Sequence, residues 1–379
     1  MAQRNIRHLA EKESSDKVVS MPQNKERFHE LDILRFLAAL AVVFFHYTFL
    51  NATEYKTIVT YPVLGEIFKY GYLGVELFFI ISGFVILLTA SEKDWRGFII
   101  SRVARLYPAF WIAVTLTTLG IVFFASDIMQ VSLTQYLWNL TMMGVFVGAE
   151  NIDPVYWTLQ VELKFYFWVL LILLFKQIKH IEIFIFVWLI VAMLEIYHVA
   201  HEFTHFALIP EWAPYFSAGA LFYLIKLKGF TLKRVGLLIV AYLLSLYFSL
   251  EGAEERSQLY ETEFSPAITL ILITFFYILF TLIILGKTAR LNSQWYTLLG
   301  ATTYPLYLIH QKLGQIAYIA FGDSINKYLL LSLMVVAMII LTYLLHRYFE
   351  VGFGKGMKRR LESWFEMIER KKMASRGGS

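Results

Sequence analysis

Arg35 and His46 stand eleven residues apart in an apolar stretch, residues 29–50. On a helix turning about 100° per residue, that spacing falls within about 20° of three full turns. Both side chains then leave one face, ~16 Å apart along the axis. Ionisable groups inside a bilayer segment are costly and mark functional sites by default. Two of them on one stripe, at different depths, point to a helix that lines a polar passage through protein. The separation argues against direct contact and puts an arginine at one end of the passage and an imidazole at the other.

Other stretches carry residues of the same kind. Glu162 and Tyr166 share a face of the run that begins at Trp157. Counted from the outer ends of their helices, Glu162 lies about 9 Å deep and His46 about 6 Å deep. A carboxylate and an imidazole at matched depth can form a general base, the carboxylate orienting the ring. A buried structural hydrogen bond is the plainer reading. Arg102 and Arg105 are i,i+3 neighbours. Guanidinium groups grip phosphates bidentately, so the pair suits an anionic nucleotide cofactor, although two arginines at an inner helix end also serve topology alone. Glu76, near the outer end of GYLGVELFFIISGFVILLTA, must be paired or protonated, whereas Gly71, Gly74, Ser82 and Gly83 suit close helix packing. Tyr304, Tyr307 and His310 recur at i+3 around Pro305 and suit a cavity wall or interhelical hydrogen bonds. His198, His201 and His205 cluster in one loop but lack a carboxylate at fixed spacing, so no metal site is expected.

The elements that position these groups follow from composition. The chain has 379 residues, 58% of them hydrophobic and 17% charged, and contains no cysteine. Disulfides, thiolate nucleophiles and cysteine-ligated metals are excluded, and the class is an all-α polytopic membrane protein. The net charge of +5 is not read as nucleic-acid binding, because its distribution matters more. Membrane-length runs fall at 29–50, 70–91, 103–125, 156–175, 181–199, 206–226, 233–251, 264–285, 297–320 and 327–349. The fifth and sixth are the weakest. Segments on one side hold 27 of the 34 lysines and arginines, so both termini are expected in the cytoplasm. The expected organisation is a polar segment 1–28, a membrane domain 29–350 and a tail 351–379. In the tail Met357, Leu361, Trp364, Phe365 and Ile368 form an apolar face suited to the inner leaflet.

Taken in order, five motifs resemble the acyltransferase 3 family of integral-membrane acyltransferases. They are Arg35-x10-His46, GYLGVELFFIISGF, Arg102-x-x-Arg105 followed by Tyr107-Pro108, Trp157-x-Leu159-x-x-Glu162-x-x-Phe165-Tyr166, and the run from Thr303 to His310. The resemblance implies a plasma-membrane enzyme, a bacterial inner-membrane one on this reading. It would move an acyl group, usually acetyl, from acyl-CoA to a hydroxyl of a cell-surface or exported glycan or lipid-linked saccharide. It implies catalytic roles for His46 and its motif partner Arg35, and donor contacts for Arg102 and Arg105. It adds Glu162 at a motif position. Glu76, Tyr166, Tyr304, Tyr307 and His310 are expected to line the substrate path, with Tyr304, Tyr307 or Arg35 available to an oxyanion. Acyl-CoA is a donor substrate, and no permanently bound cofactor is expected. Some members carry a fused extracytoplasmic domain. Here transfer is expected to finish in the membrane part or on a separate extracytoplasmic transferase. A secondary transporter is the competing class, disfavoured because no duplicated half is visible.

Overall fold

The computed structural model describes residues 28–53, 59–197, 202–288, 293 and 295–376, and among these no residue is in a strand. His198 and His201 of the histidine cluster lie outside the described residues. Helix α1, His29–Phe44, runs on through a wider π-helical turn, Phe45–Leu50. Pro62–Phe68 (α2) leads through a tight turn, Lys69–Leu73, into α3, Gly74–Glu92. Next come α4, Trp95–Phe124, the short α5, Leu133–Leu140, and α6, Trp157–Leu174. Three shorter helices follow: α7 Ile181–Glu195, α8 Glu202–Leu208 and α9 Ala213–Lys228. The remaining elements are α10 Leu232–Leu259, α11 Pro266–Ile284, α12 Tyr296–Phe321, α13 Lys327–Leu345 and α14 Val351–Arg376.

Among the described residues, seven helices are long and apolar enough to cross a membrane, so the chain is a multi-pass membrane protein. Three expected spans fall short of that measure for different reasons. Helices α7 and α9 have 15 and 16 residues, about 22 and 24 Å against a hydrocarbon core of ~30 Å. Helix α12 is long, with 26 residues, but is diluted by its polar side chains. The expected run 206–226 is broken, because the chain turns between α8 and α9, where Ile209 takes a positive φ of 43° ahead of Pro210.

The short α9 is nevertheless the most enclosed element, with Ala213 to Ile225 all buried. It crosses α3 where two glycines face each other. A side chain on Gly83 would strike the Phe216 carbonyl, and one on Gly219 the Ile80 carbonyl. Small residues that let backbones touch hold helices together in lipid, where burial gains little. Gly219→Ala is therefore expected to cost about 1–3 kcal/mol by overpacking, seen as a lower midpoint of thermal unfolding in detergent. Helix α1 packs against α3 and α12, and α12 also packs against α4. The site residues lie on these elements and on α6.

The tail helix α14 continues from α13 through a π-helical turn, His346–Glu350, and packs along the first half of α4. Phe365 meets Trp95 edge-on at 5.7 Å, and Arg96 pairs with Glu369. The apolar face read from the sequence thus rests partly on protein, while Trp364 stays 50% exposed.

Candidate active site

Two chambers open inside the bundle. The first, of about 760 Å³, is lined by Arg35 from α1, Arg102 and Arg105 from α4, Glu162 and Tyr166 from α6, and Tyr304 from α12. Ser82 of α3 donates a hydrogen bond to Glu162 Oε1. The Arg102 guanidinium lies 5.9 Å from the Tyr166 ring centroid. Arg35 Nη1 lies 4.0 Å from Asp32 Oδ1, one turn back on α1. The Tyr304 hydroxyl donates to the Leu106 carbonyl at 3.3 Å. With three guanidinium groups and one carboxylate on its wall, the chamber favours an anion. Its rigid nitrogen forks suit phosphate oxygens.

The second chamber, of about 720 Å³, is lined by His46, Glu76, Tyr72, Trp157, Trp212 and Arg256 among others. His46 stands in the π-helical turn that interrupts α1, and such turns are frequent at functional sites. Its Nδ1 lies 2.8 Å from the Val42 carbonyl and 3.0 Å from His310 Nε2. His310 Nδ1 lies 2.9 Å from the Tyr307 carbonyl, and the His310 carbonyl accepts from Tyr47 Oη at 2.9 Å. A carbonyl only accepts, so the Tyr307 carbonyl puts the His310 proton on Nδ1 and leaves Nε2 an acceptor. His46 Nδ1 must then carry a proton, shared between Val42 and His310. The free lone pair of the pair is His46 Nε2. Two backbone carbonyls thus orient a base and its support. Across the chamber, Glu76 Oε2 is buried and, among the described residues, has no hydrogen-bond partner. The Arg256 guanidinium lies 4.0 Å from the Tyr72 ring centroid and donates to the Gly252 carbonyl at 2.7 Å.

Two expectations about the site need correction. Glu162 does not orient His46: it faces the arginines, and His310 fills the place expected for it. Matched depth says nothing of lateral position: α6 packs on α3, where Glu162 meets Ser82, whereas His46 of α1 meets His310 of α12. The Asp153 that precedes α6 is fully buried and ties the loop inward, its Oδ2 accepting from Lys312 N–H at 3.0 Å and its Oδ1 from Val155 N–H at 3.1 Å. Burial pushes the Asp153 carboxyl up to about 6, against the pull of these two amides. His310 is not among the residues lining either chamber: it is fully buried behind His46. Residues three apart on a helix drift by about 60°, so the stripe winds. Tyr304 reaches the first chamber, Tyr307 borders both, and His310 turns toward α1. Glu76 lines the second chamber and Tyr166 the first.

The sequence reading missed Arg256, Trp157 and Trp212 as chamber residues. Arg256 carried one signal, as a lone cation in the acidic stretch EGAEERSQLYETE. Asp153 was also missed. Asp153→Asn would turn an NH₂ toward one of the two amides and is expected to cost about 1–3 kcal/mol. A lower thermal midpoint in detergent, larger than the loss of turnover per folded molecule, checks this structural role.

A polytopic helical membrane protein with an arginine-lined chamber and a histidine-bearing chamber is the class that fold and site define. The acyltransferase 3 family, described as an acyltransferase domain, matches residues 28–347, and the chain belongs to it. Relatives are more distant. A putative acetyltransferase ORF330 of Acidianus two-tailed virus is 27% identical over 140 residues, covering 37% of this chain and 39% of the relative. Peptidoglycan O-acetyltransferase OatA of Listeria monocytogenes is 28% identical over 171 residues, covering 40% of this chain and 25% of the relative. Nodulation protein 10 of Rhizobium leguminosarum is 28% identical over 164 residues, 36% of this chain and 42% of the relative. The chain thus spans less than half the length of the curated relatives it matches. No solved structure matches it.

Proposed function

We propose that the protein is an O-acyltransferase of the plasma membrane. It moves an acyl group, acetyl in the first instance, from cytosolic acyl-CoA to a hydroxyl of a cell-surface or exported glycan. The carrying observation is the pair of chambers, one lined by Arg35, Arg102 and Arg105 and the other by His46 and Glu76. The phosphates of acyl-CoA sit on the arginines, and the pantetheine arm leads the thioester toward His46. An acceptor hydroxyl enters the second chamber, where Glu76 accepts hydrogen bonds and Trp157 and Trp212 offer ring faces.

His46 Nε2 takes the hydroxyl proton as the oxygen attacks the thioester carbon. The C–O bond forms, the C–S bond breaks, and the proton passes to the leaving thiolate. His46 cannot relax away, because Nδ1–H is held by Val42 and His310. Of the groups suited to the oxyanion, Tyr307 alone borders both chambers. The names of OatA and ORF330 support acetyl as the group.

Purified protein with radiolabelled acetyl-CoA and a glycan-bearing membrane extract tests the reading. Label appearing on alkali-labile esters supports it. Substrate counterflow without consumption of acetyl-CoA would replace it with a transporter.

A further inference from the structure

Val75 and Tyr307 border both chambers, and each is 8% exposed. The Tyr307 ring is held between two neighbours. It meets Phe78 edge-on at 5.5 Å and lies 5.7 Å from the His310 ring. Val75 lies in the first turn of α3, and a β-branched side chain on a helix holds essentially one rotamer. Both side chains are therefore held in place where the two chambers adjoin. Close-packed interiors do not stretch to admit extra methylenes.

We propose that Val75 and Tyr307 form a throat between the chambers and set the length of acyl group that the protein transfers. This rests on the acyl-transfer reading above. The charged end of the donor stays on the arginines while the base stands beyond the throat. The thioester carbon must therefore enter the throat to meet the hydroxyl. With the thioester carbon held there, acetyl sets one methyl against Val75 and Tyr307; propionyl and butyryl set one and two methylenes more against walls that cannot part. One methylene in an apolar pocket is worth about 10–200-fold in discrimination.

Val75→Ala removes two methyl groups from one side of the throat, and Val75→Phe fills it. Cells that produce the protein carry each allele and are fed propionate and butyrate. Esters released from whole cells by mild alkali are resolved by gas chromatography, with gene-deleted cells as background. Val75→Ala is expected to raise the ratio of propionyl and butyryl to acetyl esters at least ~10-fold. Val75→Phe is expected to lose the longer esters first. The ratio within one variant does not depend on how much of it folds. Gene-dependent acetyl esters with an unchanged ratio in Val75→Ala would overturn the throat and leave acyl transfer standing. No gene-dependent ester in wild-type cells would overturn acyl transfer, and the throat with it.

Discussion

Replacing His46 by alanine is expected to lower acyl transfer by about 10²–10⁴-fold, the usual contribution of a positioned general base. Membrane insertion should be unchanged, because the stretch stays apolar. The loss should appear in kcat, since the base acts on the proton in flight and adds little to donor binding. His310→Ala should be milder when made alone, because Val42 still holds the His46 Nδ1–H. The double variant should be little worse than His46→Ala, as groups acting as one unit are not additive. Full additivity of the two substitutions would separate His310 from the base. Normal transfer by His46→Ala would remove His46 from the chemistry altogether.

The second large effect is expected at the arginines. Arg102→Ala should raise KM for acyl-CoA by about 10–100-fold, the equivalent of one lost charge-assisted hydrogen bond of ~1.5–3 kcal/mol. Changes in kcat should be smaller. Arg105→Ala should act in the same direction. Lysine decides between the two roles these residues can play. If the pair only satisfies the preference for cations at inner helix ends, Arg102→Lys restores the wild-type KM. If the guanidinium fork grips phosphate, lysine offers a point charge without the paired geometry and KM stays raised. Raising ionic strength should weaken donor binding in the wild type more than in Arg102→Ala, because the lost contact is electrostatic.

Much of the site was legible because bilayer physics makes polar residues conspicuous. Arg35, His46, Glu76, Glu162 and Tyr307 stood out as polar groups in apolar runs, Arg102 as one of a pair at an inner helix end, and all of them line one chamber or the other. Arg256 was less visible because it lies near an acidic loop, where a cation is ordinary. The burial of Asp153 was invisible, since an aspartate before a helix normally caps it in solvent. Depth along α6 does not say which neighbour a side chain meets, and Glu162 meets Ser82 of α3 rather than His46.

The helical class, the membrane location and the opposite ends assigned to Arg35 and His46 follow from local properties. Hydropathy and helical period are carried by each segment alone. Partnership is different. The His46–His310 bond joins residues 264 positions apart, and it depends on a π-helical turn in α1, the winding of α12 and the approach of those two helices. The proposed throat likewise needs Val75 of α3 and Tyr307 of α12 brought to the same two chambers. Those contacts are set by how whole helices pack, so only the folded bundle decides which imidazole supports which and where the two chambers meet.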